Sequence, residues 1–304
     1  MAATHTVVPL LLGGNTTEEQ NKLLKDCLGD AVASVYREVM EQLDRQSAQA
    51  VLEALGKVKS EVSSAMFEII RSHTISNKFA DEQVASDRKY PQTYRLRPIE
   101  AQVTELRKAF PGLGACQEKL GRLPLADQPE GWFAIPRWQA LAPTYNEAVE
   151  MLLTVLGSRR RFANRIAGRL DEKYLRHSER TRLAESILAR HQPGNDILVV
   201  AAQSGMLHRG CSSRRTRTML AGNEFCMGVF ATGCMLLTHP ERLSDGEALM
   251  IDCGGDEYSP RADYTFDRVP LFDYDLSGIE LSIFYEDRAR NLWGTPTGFL
   301  YKTV

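Results

Sequence analysis

"QPGNDILVVAAQSGMLHRGCSS", residues 192–213, divides the reading of the chain. Pro193 lacks a backbone N–H and Gly194 tolerates left-handed backbone, so a helix arriving here stops. After Asn195, "DILVVAA" forms a short apolar run of β-branched character, which predicts a buried strand. Upstream the apolar residues recur at steps of three and four. Downstream, "LMIDC" and "GIELSIFYE" read as strands, the second alternating Ile279, Leu281, Ile283 and Tyr285 with Glu280, Ser282, Phe284 and Glu286. The predicted fold class is α+β: a mainly helical part over 1–195, then a mixed α+β part over 196–304.

The helical part opens with a long hairpin over 16–73. Thr16 and Glu19 have capping-box spacing, and Leu24, Leu28, Val32, Val35, Val39 and Leu43 make one apolar stripe. A break at "DRQ" leads to Ser47 as the next cap, and Val51, Leu55, Val58, Val62, Met66 and Ile69 repeat the stripe. Two such helices joined by a few residues pack most simply as an antiparallel pair, with a partner chain as the alternative. A polar connector over 74–97 leads to a helix over Ile99–Phe110. The proline-rich stretch that follows holds a short strand at Trp132–Ile135. Helices resume at Tyr145–Leu156, Arg159 to about Arg176, and Ser178–His191. "EFCMGVFATGCMLLTH" fits either one buried helix or two short strands.

Apolar residues make up 43% of the 304 and charged residues 25%, which excludes a disordered chain. No apolar run approaches the ~20 residues of a membrane helix, and the patch Val7–Leu12 lacks the basic flank of an export signal. A cytoplasmic protein with no membrane association is expected, its six cysteines reduced.

Charge is unevenly spread. Residues 158–218 hold 14 basic and 5 acidic side chains, net +9, whereas residues 245–304 hold 5 and 12, net −7. In the basic segment thirteen of the fourteen cations are arginine, the residue that grips phosphate with two parallel hydrogen bonds. On the expected helices Arg159, Arg160, Arg161, Arg165, Arg169, Arg176 and Arg180 form an outward stripe. Arg209, Arg214, Arg215 and Arg217 add to it, with hydroxyls interleaved. This pattern suits a nucleic-acid backbone. Docking of the basic segment on the acidic one, or on a protein partner, is the alternative use of the same charges.

Gly254, Gly255, Asp256, Glu257 and Tyr258 resemble the signature loop of the GGDEF-type cyclases over five residues. The family's upstream strand-end aspartate and its phenylalanine, lysine and asparagine cluster have no counterpart before residue 251, so the likeness implies no cyclase. Asp252, Asp256 and Glu257 remain the candidate ligands should a hard cation bind, and a turn followed by solvated acids is the simpler account. Gly205-x4-Gly210 after a strand nearly makes a phosphate loop, but Cys211 stands where its lysine should be. His208 beside Cys211 is the one Cys–His pair, and nearby arginines favour a thiolate there.

The reading is a non-catalytic subunit that binds nucleic-acid backbone, DNA or RNA, within a larger assembly. It needs no cofactor and associates with itself or a protein partner through the N-terminal helices. A metal-dependent phosphoryl-transfer enzyme using Asp252, Asp256 and Glu257 is the catalytic alternative, and a structural subunit of a viral or other large assembly the third.

Overall fold

In the computed structural model the described residues are 7–9, 18–54, 78–125, 128–275 and 278–303, with 57–59, 61–62 and 65 between them. Strand β1 spans Val7–Pro9, helix α1 Glu18–Gln42 and helix α2 Arg45–Glu53. Asp44, not Ser47, begins α2: its Oδ1 accepts the Ser47 N–H at 2.7 Å, and a carboxylate there also suits the positive end of the helix. Thr16, the side chain of Glu19 and about half of the hairpin's second arm lie outside what is described. Among the described residues Val32, Val35 and Val39 are 46%, 60% and 46% exposed, so the stripe of α1 is not buried.

The chain forms two compact units: residues 13–77, and residues 1–12 together with 78–304. The split expected at 195 is therefore visible only in part, because elements on either side of it share sheets and cores. In the larger unit follow helix α3 (Ile99–Ala109), strand β2 (Gly131–Pro136), helix α4 (Tyr145–Arg159), strands β3 (Phe162–Asn164) and β4 (Leu175–His177), and helix α5 (Glu179–His191). Strand β5 (Ile197–Gln203), helix α6 (Ser213–Met219), strand β6 (Glu224–Cys226) and helix α7 (Val229–Thr238) come next. The chain closes with β7 (Met250–Asp252), β8 (Asp256–Tyr258), β9 (Arg268–Asp275), β10 (Gly278–Tyr285), β11 (Trp293–Gly294), β12 (Thr297–Phe299) and β13 (Tyr301–Thr303).

One sheet has the order β2-β5-β12-β6. A second runs β11-β7-β9-β10-β3, with β8 on β9 and β4 on β8, and β1 pairs with β13. The strand that the opening stretch predicts is β5, and all seven of its residues are buried. Successive side chains of a strand face opposite ways, so β5 serves two cores. Ile197 and Val199 join the larger one with α3, α4 and α7, while Leu198, Val200 and Ala202 join a second with Phe133, Ile135, Leu188 and Phe225. The ambiguous stretch at 224–239 is β6 followed by α7, a helix buried on every face and hence apolar all round.

The helix expected over Arg159–Arg176 does not form. Helix α4 ends at Arg159, β3 pairs in parallel with β10, and β4 pairs antiparallel with β8. The four-residue spacing of Phe162, Ile166 and Leu170 instead places apolar side chains against the larger core from a strand and a turn, the turn held by Asn164 Oδ1 accepting the Ile166 N–H at 3.0 Å. Pairing with β10 supplies these residues with partners that no local periodicity reveals.

Candidate active or binding site: a cavity over a buried histidine–carboxylate pair

Antiparallel register sets His177, the last residue of β4, opposite Asp256, the first of β8. Side chains at such positions meet across the strands, and His177 Nδ1 lies 2.6 Å from Asp256 Oδ1. Asp256 is fully buried and its other oxygen is also engaged. Oδ2 accepts the Tyr145 hydroxyl at 2.6 Å and the Val229 N–H at 2.7 Å. Gly228, at the cap of α7, has no side chain to satisfy that helix's first N–H groups, so a carboxylate from another strand does it.

Three helices begin around this pair. Thr144 caps α4 through a reciprocal capping box with Glu147, which fixes Tyr145 at the first turn, its ring 3.7 Å from that of His177. Ser178, directly after His177, caps α5 by accepting the Thr181 N–H. Helix α5 then brings Glu185 back, with Oε1 3.3 Å from His177 Nε2. Burial pulls the imidazole down, but Glu185 and Asp256 on either side outweigh it and hold its pKa up at about 10, so it is an imidazolium at neutral pH. Burial first, and then Asp256, push the Tyr145 phenol well up, so it stays protonated and a donor.

Above His177 opens a cavity of about 380 Å³, within the ~300–1,000 Å³ usual for small-molecule sites. Its floor is the second core: Ile135 from β2, Leu198 and Val200 from β5, and Phe225 from β6, with Leu188 of α5 and Ala231 of α7 beside them. Polar groups gather at one end, where His177, Glu185, Arg137, Arg176, Arg182 and Glu172 line it. The contact of His177 Nε2 with Glu185 falls outside hydrogen-bond geometry, and that nitrogen has no hydrogen-bond partner although the side chain is only 8% exposed. The Nε of Arg137 is likewise buried without a partner.

The arginines expected to hold phosphate are mostly engaged within the chain. Arg160 donates to the Pro240 and Leu243 carbonyls, and Arg180 to those of Ala221 and Glu224. Arg159 pairs with Glu105, Arg165 with Glu280, Arg176 with Glu257, Arg214 with Glu82 and Arg217 with Glu286. Arg217 also donates to the Gly254 and Asp256 carbonyls, Arg209 to Arg88 O, Arg215 to Lys78 O and the exposed Arg169 to Arg165 O. Arg161 is exposed. The basic and acidic segments therefore face one another, through β3 on β10 and β4 on β8.

Asp252, Asp256 and Glu257 do not converge on a common point. Asp256 serves His177 and the two helices, Glu257 pairs with Arg176, and Asp252 is buried with Oδ1 unpartnered. Burial lifts the Asp252 carboxyl to about 7, only partly offset by Ser213, Arg217 and Arg290. No group of three such ligands assembles among the described residues.

The near-miss phosphate loop does lie between a strand and a helix, β5 and α6, but the chain fills it. Gly210, at φ +77°, accepts the Val84 N–H at 2.9 Å, and a Cβ there would meet Val84 O at 2.1 Å. Glu82 sits over the start of α6, accepting the Ser212 hydroxyl and pairing with Arg214. His208 pairs with Glu224 at 2.7 Å, not with Cys211, and burial pushes the Cys211 thiol up, away from the expected thiolate.

Of the residues that make this site, sequence reasoning singled out Asp256, as a metal ligand, and Arg176, as a phosphate contact. His177 carries no motif: its place follows from the β4–β8 register. Comparison with family models, with curated proteins and with solved structures gives no match.

Proposed function

We propose that the cavity above His177 is the protein's functional site and takes a small molecule with a largely apolar body. The observation that carries this reading is a buried cationic ring in the cavity wall: His177 lines the cavity, and its Nε2 has only the off-axis carboxylate of Glu185, 3.3 Å away, which a ligand's acceptor would replace. Asp256, Tyr145 and the start of α7 hold the imidazolium in one orientation, so the donor needs no ordering when a ligand arrives.

The test is titration with an uncharged fluorescent naphthylamine dye. Saturable binding of one dye per chain, lost in Ala189→Trp, which fills the cavity from α5, is the expected result. Binding that never saturates, or that the substitution leaves intact, refutes the reading.

A second reading, contact with a nucleic-acid backbone, is supported by the exposure of Arg161, Arg165 and Arg169. Anisotropy of labelled DNA and RNA over a salt series checks it. Binding that weakens steeply with salt and flattens in the triple alanine variant is expected, and no binding at low salt ends it.

A further inference from the structure

The proposed site presents its cations inward, while two of their counter-charges, Asp256 behind His177 and Glu257 beside Arg176, do not line the cavity. Four basic groups line the polar end (Arg137, Arg176, His177 and Arg182) against two acids, Glu172 and Glu185. Arg176 is committed to Glu257, and its guanidinium lies 3.7 Å over the Phe266 ring. Arg182 makes no ion pair among the described residues, and the Nε of Arg137 is buried with nothing to donate to. The apolar end carries no charge at all: Leu198, Val200, Phe225 and Ala231 belong to the second core.

One feature of the chain already imitates a ligand there. The carboxylate of Glu185 stands 3.3 Å from His177 Nε2, close enough to pair but without the geometry of a hydrogen bond. A carboxylate brought in by a guest could take the linear position that the Glu185 side chain, tethered to α5, does not reach.

Resting on the ligand reading above, we infer that the guest is an amphiphilic carboxylate: an unbranched or aryl apolar body over Leu198, Val200 and Phe225, with its carboxylate received by His177 Nε2 and Arg137. Two donors on one carboxylate make charge-assisted bonds that an alcohol of the same length cannot match. Glu185 yields its place beside the imidazolium as the guest enters.

Displacement of the naphthylamine dye from the full-length protein by decanoate, decanol and decyltrimethylammonium tests this. Decanoate is expected to displace the dye at concentrations at least about tenfold below decanol, with the ammonium weakest. Arg137→Gln should narrow the gap between decanoate and decanol. Glu185→Gln, which removes the internal competitor, should tighten decanoate severalfold. Decanol displacing the dye as well as decanoate does would overturn the inference while the ligand reading stands. A gap untouched by Arg137→Gln would also overturn it. Failure of the dye itself to bind saturably removes both.

Discussion

Asp256 carries more of the site than any other single residue. It accepts from an imidazolium, a phenol and a helix-starting N–H while fully buried, so removing its charge strands all three. Breaking a buried charged pair from one side costs about 3–5 kcal/mol. Asp256→Asn is expected to lose an amount in that range in urea unfolding, whereas Asp87→Asn, at an exposed position, should change stability little. His177 adds a pH dependence whose sign is fixed. Its pKa rises on folding from the ordinary 6.5 to about 10, so its stabilising share is complete below pH 6.5 and disappears as pH climbs through 10. The urea midpoint should therefore fall between pH 7 and pH 10, and His177→Gln should flatten that fall. A midpoint with the same slope in both proteins would mean that other groups set it.

At the scale of the element, strands and helices with their own periodicity were legible in the sequence. Strand β5, strand β10 and helices α3, α4 and α5 fall where the apolar spacing and the Ser178 cap place them. Strand β3 was not, because its partner lies more than a hundred residues away and its own spacing mimics a helix. The site was hidden for the same reason: His177 and Asp256 meet only through the pairing of two three-residue strands. One glycine guards the β3–β10 pairing. Gly278 has φ +123°, and a Cβ there would lie 2.4 Å from the Arg161 carbonyl oxygen. Gly278→Ala combines a disfavoured backbone with a backbone clash, and should cost about 2 kcal/mol or more. Amide exchange should report the loss first in β3 and the adjoining end of β10.

For the whole molecule, the opposite charges of segments 158–218 and 245–304 do much of their work internally, through Arg165–Glu280, Arg176–Glu257 and Arg217–Glu286. The unit of residues 13–77 raises a separate question, since α1 leaves Val32, Val35 and Val39 exposed on one face. We propose that the chain self-associates through it. Light scattering should then show a mass above that of one chain, reverting to 34.1 kDa when the three valines become aspartate. A wild-type mass of one chain at every concentration would sink that proposal.

The three tryptophans are distributed in a useful way. Trp132 donates its indole N–H to Leu123 O, and Trp293 is buried edge-on against Phe284. Trp138 alone of the three lines the cavity over His177, its ring set edge-on to Tyr145. An occupant changes the surroundings of that one chromophore and leaves the other two as an internal reference. The protein thus carries its own optical gauge of occupancy, and Trp138→Phe supplies the blank against which it is read.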